Sequence, residues 1–277
     1  MRVSLSVTDY SWADGPTAGL ARIARAADAA GLDTLWVADH LIQVAPGSPP
    51  DGNMLEAYTA LAWLAARTER IRLGAMVSAV TYRPPALLVK AVTTLDVLSG
   101  GRAWFGAGAG YHEEEARLMG LPLPPVAERF DRLDETLRTA KRMWSDPAVN
   151  PPPVRRPHPP ILVGGTGERR TLRLVAEYAD ACNLFDIPDG GVTVRHKLAV
   201  LAEHCTEVGR PYDAIEKTLS TRLDAGESPE SFVARCTGSA ALGIEHVVVI
   251  TNGPWTDDAV ACLAAAVPQL AGKEPHQ

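Results

Sequence analysis

Residues 71–115 read Ile71-Arg-Leu-Gly-Ala-Met-Val-Ser-Ala-Val-Thr-Tyr-Arg-Pro-Pro85, then a helical run, then Gly101-Arg-Ala-Trp-Phe-Gly-Ala-Gly-Ala-Gly-Tyr-His-Glu-Glu-Glu115. An apolar run, a helix and a second apolar run make one strand–helix–strand unit. Parallel neighbours need such crossovers, so the unit predicts a parallel sheet. Gly106, Gly108 and Gly110 alternate with alanines and clear side chains from a patch of backbone. A flat or anionic ligand can approach main-chain N–H groups there, although the same spacing also suits a tight strand–helix turn without a ligand. Glu113-Glu114-Glu115 fits the first turn of a helix, where carboxylates meet the positive end of the dipole.

The same alternation runs outward in both directions. Upstream, strands are predicted at Val3–Thr8 and Thr34–Ala38, with a helix after Gly15-Pro16 that stops at Gly31. A loop rich in proline and glycine (Pro46, Gly47, Pro49, Pro50, Gly52) precedes a helix over Leu55–Thr68. The central unit supplies strands at Leu73–Ala79 and Ala103–Ala107 around a helix at Pro85–Ser99. Downstream come helices at Glu113–Met119 and Glu128–Trp144, then the proline-rich connector 150–160, stiff because each proline fixes its own φ and restricts its predecessor. Strands at 161–163, Ala181–Phe185, Ile215–Thr221 and Glu245–Thr251 each lead into a helix. Eight strands, each followed by helix, predict an α/β chain folded as one (β/α)8 TIM barrel over 1–277. A doubly wound open sheet is the rival, and it carries its glycine-rich turn after the first strand rather than the fourth.

Composition narrows the function classes. The 46% hydrophobic content supports a large core, and the net charge of −6 argues against nucleic acid or an anionic membrane as partner. No apolar run approaches a membrane span and no secretory leader is apparent. Cys182, Cys205, Cys236 and Cys262 are widely spaced without a CxxC pair, so reduced thiols in the cytoplasm are expected, without zinc or a disulfide framework.

In a barrel the active site lies where the C-terminal strand ends meet. Those ends carry Asp9 to Trp12, Asp39-His40, Ser78-Ala79, Gly108 to His112, Gly164 to Gly167, Asn183-Leu184 and Thr251-Asn252. No lysine stands there, which argues against a Schiff-base enzyme. No His-x-His and no carboxylate cluster stand there either, so no metal site is expected. Glycine backbone, amides, two histidines and aromatics remain, which suit a large planar cofactor that brings its own chemistry. Asp39-His40 is the best polar pair: either a proton-handling site, or a loop cap with a solvent-facing imidazole. Consecutive strand residues point to opposite faces, so both line the barrel only if the chain has already left the strand. Gly164-Gly165-Thr166-Gly167 is either a phosphate seat or a plain turn into a helix. Trp36, Trp63 and Trp144 read as core. Trp12, near the mouth, and His112 are candidates for the substrate pocket.

Taken together, Leu35-Trp-Val-Ala-Asp-His-Leu41, Tyr82-Arg-Pro-Pro-Ala86, Leu95-Asp-Val-Leu-Ser-Gly-Gly-Arg-Ala-Trp-Phe-Gly-Ala-Gly108, Glu128-Arg-Phe130, Pro159-Pro-Ile-Leu-Val-Gly-Gly165 and Ala179-Asp-Ala-Cys-Asn-Leu184 resemble the luciferase-like monooxygenase superfamily, and within it the coenzyme F420-dependent oxidoreductases. The resemblance runs in order through nearly the whole chain. It implies that His40 faces the reacting centre as proton donor or acceptor, and that Asp39 contacts the cofactor. It implies a non-prolyl cis peptide at Met76-Val77, a bulge continuing into Ser78 that backs the ring. Gly108, Ala109, Gly110 and Tyr111 line the ring and side chain in that reading, Gly164, Gly165 and Thr166 hold the phosphate, and Asn183 binds near it or the ring. Two departures stand out. The insertion that covers the pocket in many relatives is reduced here to the connector before the fifth strand, which implies a more open site. Position 111 carries glutamate in the sugar-phosphate dehydrogenase members, and no lysine matches their phosphate-binding lysines, which points away from a sugar phosphate.

Three functions compete. In the first, an F420-dependent oxidoreductase moves a hydride between the deazaflavin C5 and a small organic substrate, with His40 handling the proton. In the second, an FMNH2-dependent monooxygenase uses the same barrel to hold a flavin that activates O2. The third is a non-catalytic flavin-binding protein, since fold alone does not establish function. The motifs favour F420, and the resemblance implies a homodimer.

Overall fold

The computed structural model describes residues 1–45 and 47–271, so Pro46 of the predicted loop lies outside the described residues. In chain order the elements are β1 (Arg2–Val7), α1 (Pro16–Ala29), β2 (Thr34–Val37), α2 (Ala57–Ala65), β3 (Arg72–Ala75), β4 (Ser78–Ala79), α3 (Pro85–Leu98) and β5 (Phe105–Gly108). They continue with α4 (Glu113–Met119), α5 (Val126–Ser145), β6 (Ile161–Gly164), α6 (Thr171–Tyr178), β7 (Ala181–Phe185), α7 (Val192–Val208), β8 (Glu216–Arg222), α8 (Pro229–Ala240), β9 (His246–Ile250) and α9 (Asp257–Ala271). Helices α1, α3 and α8 open with proline in the first turn, where a missing N–H costs nothing. Glycines in the left-handed conformation close α4 and α7.

The sheet is entirely parallel, in the order β3-β2-β1-β9-β8-β7-β6-β5-β4. A parallel bridge between Leu73 and Ala103 joins its ends and closes the barrel. The predicted third strand is two strands, which is why nine occur among the described residues where eight were expected. The break falls at Met76-Val77, whose peptide bond is cis. β3 pairs with β2, while β4 pairs with β5, so together they form one of eight staves.

Two apolar layers hold this frame. The larger lies between the barrel and its helices and includes Leu5, Val7, Leu35, Val37, Leu73, Phe105, Val163 and Val249. The smaller fills the barrel itself with Trp36, Trp104, Leu162, Ala181 and Val248. Trp36 and Trp104 meet at 5.6 Å between ring centroids, and a Cβ at Gly74 would lie 2.7 Å from one and 2.8 Å from the other. The interior below the mouth is therefore packed, and a ligand can enter only at the C-terminal rim.

The connector before β6 does not stand at that rim. Asp96, fully buried near the end of α3, accepts from the N–H groups of Val154 and Arg155, and Val154 sits against Gly101. These residues lie at the N-terminal end of the barrel. The connector of this chain thus contributes no residue to the cavity wall.

Candidate active site

A cavity of about 500 Å³ opens at the C-terminal ends of the strands. β2 ends at Val37, so Asp39 and His40 have left the strand and both line the cavity. Met76, Val77, Gly108, Ala109, Gly110, Tyr111, His112, Gly164, Gly165 and Asn183 line it as well. These wall residues, named from the sequence, come from five strand ends.

His40 joins a polar cluster in the cavity wall. Its Nδ1 lies 2.7 Å from Glu115 Oε2, and its Nε2 lies 3.3 Å from the Tyr111 hydroxyl. The Glu115 side chain is fully buried and also accepts from the Leu41 N–H and from the Tyr82 hydroxyl at 2.6 Å. Burial pushes this carboxyl up, but the bonds from His40, Tyr82 and Leu41 outweigh it and hold it at about 2. An ionised carboxylate only accepts, so the neutral imidazole carries its proton on Nδ1 and presents a lone pair at Nε2. Glu115 escaped the sequence reading because it ends a run of three glutamates. Glu113 and Glu114 are exposed in the first turn of α4, while Glu115 turns inward across 75 residues of sequence to His40.

A second buried pair fixes the segment that carries His40. Arg83 donates to both Asp39 oxygens, at 2.7 and 2.9 Å, and to Glu56 at 2.6 Å. Burial raises the Asp39 carboxyl above its ordinary value despite the bonds from Arg83. Arg83 was unmarked inside Tyr82-Arg-Pro-Pro. Its forked geometry suits this two-carboxylate grip.

The glycines turn out to serve the protein's own bulge before any ligand. A Cβ at Gly106 would lie 2.0 Å from the Ala75 carbonyl oxygen, and at Gly108 and Gly164 it would lie 2.7 and 2.9 Å from Val77 methyls. Ala75 and Val77 occupy the space beside Gly106, Gly108 and Gly164, while Gly108, Gly110, Gly164 and Gly165 still line the cavity as expected, and Val77 shares that wall as a platform. Gly110 and Gly165 adopt φ of 78° and 118°, which side chains disfavour, at the turns leaving β5 and β6.

Three of the placements expected from the sequence differ. Trp12 does not line the cavity: it is buried, its indole donates to the Trp255 carbonyl at 2.7 Å, and its ring fills the space beside Gly19. Ser78 is also buried behind the wall, with its hydroxyl 2.7 Å from Tyr58 Oη. Thr166 is not in the wall either. The chain makes a turn after Gly167, so α6 starts at Thr171, and Thr171 lines the cavity beside Gly164 and Gly165. His112 lines the cavity as expected, yet its Nδ1 is occupied in accepting from the Glu115 N–H at 3.1 Å, a cap on α4. Phe130 of α5, Phe185, Ser220 and Arg222 are among the further residues of the wall, none of them expected there from the sequence. Among the described residues no group of three His, Cys, Asp or Glu side chains could hold a metal ion.

Fold and site define a class: a (β/α)8 barrel that offers a flat ligand an apolar platform beside a carboxylate-held imidazole. The family follows from comparison. The model of the luciferase-like monooxygenase family matches residues 2–254, and the chain belongs to that family. The F420-dependent glucose-6-phosphate dehydrogenase of Kineococcus radiotolerans is 31% identical over 234 residues, covering 76% of this chain and 65% of that enzyme. Relatives of that name are matched over 37–66% of their own length. An uncharacterized protein of Mycobacterium tuberculosis is 28% identical over 279 residues, covering 91% of this chain and 93% of that one. Among solved structures, an F420-dependent secondary alcohol dehydrogenase in complex with an F420-acetone adduct superposes with a TM-score of 0.82 over 97% of this chain and 98% of that one, at 14% identity. That likeness shows the shared fold.

Proposed function

We propose that the protein is an F420-dependent oxidoreductase that interconverts an alcohol and a carbonyl compound, with His40 as the proton-transferring group. One observation carries this reading: the imidazole is held at Nδ1 by an ionised, buried Glu115 and turns Nε2 to the cavity. The relatives' names support the cofactor. The cavity fits the group: its volume lies in the range of cofactor sites, and Val77 backs a flat ring with nothing bulkier than glycine behind it on β5 and β6.

Bound F420 supplies a two-electron hydride acceptor or donor at the deazaflavin C5. The chain's residues do the rest. Val77 and Met76 would support the ring, and Gly164, Gly165 and Thr171, at the start of α6, would hold an anionic tail. As the alcohol carbon loses a hydride, His40 Nε2 takes the hydroxyl proton. Glu115 stabilises the imidazolium that forms, as the carboxylate does in other carboxylate–histidine pairs. In the reverse direction His40 returns the proton to the carbonyl oxygen. The FMNH2-dependent monooxygenase reading requires the same cavity to prefer FMN. Measuring both dissociation constants by equilibrium dialysis separates them: tighter binding of F420 is expected, preference for FMN selects the monooxygenase, and failure of both overturns the enzyme reading.

Four free, buried cysteines support a cytoplasmic location. Leu87 and Leu98, exposed three turns apart on α3, support a homodimer. No described helix is long and apolar enough to cross a membrane.

A further inference from the structure

Among the described residues the cavity wall contains a single Lys or Arg, Arg222 at the end of β8. Its Nη1 donates to Asn252 Oδ1 at 2.6 Å. No carboxylate among the described residues lies within ion-pair distance of it, whereas Arg83, behind Asp39 of the wall, is neutralised by Asp39 and Glu56, and Arg129, which donates to the Gly110 carbonyl, does not itself line the cavity. The Nε–Nη2 edge of Arg222 has no hydrogen-bond partner among the described residues. That edge matches the two oxygens of a carboxylate.

The sheet order fixes where this charge acts. β8 lies four staves from the β3–β4 stave in either direction around the closed barrel. Arg222 therefore stands directly across the cavity from Val77. A ring resting on Val77 turns its other face toward Arg222, and the β6 turn, where an anionic cofactor tail fits, is two staves away. Ser220 lies on the same face of β8 two residues earlier, and Ile250, the register partner of Arg222, makes the adjoining wall apolar. One fixed positive charge in an apolar setting balances one negative charge, which a carboxylate carries and a phosphate dianion exceeds.

We propose that Arg222, held by Asn252, is the anchor for a carboxylate on the substrate, so that the protein acts on a small apolar molecule bearing both a carboxylate and the reacting alcohol or carbonyl carbon. The substrate class rests on the oxidoreductase reading above; the carboxylate anchor itself does not.

Benzoate and benzamide differ mainly in charge and serve as probes. Their dissociation constants are to be measured by calorimetry on the F420-saturated protein and on the protein without cofactor. The wild type should prefer benzoate by at least about tenfold, the worth of one charge-assisted hydrogen-bonded pair. Arg222→Gln should erase the preference and Arg222→Lys should keep part of it. Asn252→Asp, which leaves Arg222 in place but gives it a resident carboxylate, should erase the preference as well, and it keeps the test alive if Arg222→Gln does not fold. Equal binding of the two probes by the wild type, or a preference that survives both Arg222→Gln and Asn252→Asp, overturns the assignment. So does displacement of benzoate by inorganic phosphate at lower concentration than by acetate. A further arm compares F420 with the deazaflavin riboside that lacks phosphate and glutamates. Equal affinities in wild type and Arg222→Gln support a substrate anchor, and selective weakening of F420 reassigns Arg222 to the cofactor tail. If F420 fails to bind while the benzoate preference holds, the oxidoreductase reading falls and the anchor stands.

Discussion

The two ends of this barrel contain the same chemical unit. At the mouth, His40 Nδ1 meets Glu115 at 2.7 Å; at the floor, His246 Nδ1 meets Glu216 at 2.9 Å. The surroundings differ. His246 is fully buried, its Nε2 is taken by the Ser4 hydroxyl, and Asp33, Arg72 and Arg2 complete a closed polar network. The His40 side chain is 20% exposed, and its Nε2 has only the loose Tyr111 hydroxyl before the cavity begins. A carboxylate–imidazole pair is thus a strut when both nitrogens are filled and is free to carry a proton, as proposed for His40, when one is left open. Access, more than pairing, separates the two.

The largest expected effect tests that division. His40→Ala should lower F420-linked turnover by roughly two to four orders of magnitude, with cofactor affinity near the wild type and a smaller stability loss than at the floor, because Glu115 keeps the Leu41 N–H and the Tyr82 hydroxyl and the gap opens to the cavity. His246→Ala should do the reverse, costing about 2–3 kcal/mol of stability by leaving Glu216 and Asp33 without their buried partner, with turnover retained at low temperature. Turnover is read from the change in deazaflavin absorbance and stability from urea unfolding. A His40→Ala protein that works normally, or a His246→Ala protein that is as stable as the wild type, would dissolve the distinction.

Sequence periodicity exposed the frame because each stave is a short apolar run and each crossover an amphipathic one. It showed Asp39-His40 and the β5 and β6 turns because glycine and histidine are conspicuous at strand ends. It concealed Glu115, Arg83 and Arg222, whose roles depend on partners 75, 44 and 30 residues away that no local spacing encodes. It also missed that the glycines make room for the protein's own bulge, since a cleared backbone looks the same whether ligand or protein fills it. Gly106→Ala sharpens that point. Its Cβ would meet the Ala75 carbonyl oxygen at 2.0 Å, backbone against backbone, and should destabilise the fold by about 3 kcal/mol. Gly108→Ala meets only a Val77 methyl, at 2.7 Å, so pairing it with Val77→Ala should restore most of the loss. Additive losses in that double variant would mean the glycine is needed for something besides the bulge.

The dyad at the mouth should also leave a mark on acid stability. The Glu115 carboxyl is held at about 2 against an ordinary 4.5. A depressed carboxyl contributes stability that is fully present above its unfolded value and is lost as the pH falls through the folded one. Wild type should therefore exceed Glu115→Gln by about 2 kcal/mol at neutral pH, and the gap should narrow between 4.5 and about 2. Urea unfolding of both proteins across that window checks it. A gap that is constant with pH would show that Glu115 acts through shape and not through charge.

The smallest expected effect concerns the second nitrogen of each histidine. At the mouth, Tyr111 is 68% exposed and its hydroxyl stands 3.3 Å from His40 Nε2, a long contact that solvent in the cavity can replace. Tyr111→Phe removes that contact but keeps the ring edge-on to the imidazole, at 5.7 Å between centroids and 84° between planes. Turnover should change by less than about threefold, because the lone pair that accepts the proton is untouched. At the floor, Ser4→Ala removes a partner that nothing replaces, since Ser4 and His246 are both fully buried. It should cost about 1–2 kcal/mol, the penalty of a stranded buried polar nitrogen. A Tyr111→Phe loss that matched or exceeded the Ser4→Ala loss, compared as free energies from kinetics and from unfolding, would mean that His40 Nε2 is closed off as His246 Nε2 is, and the proton would need another acceptor.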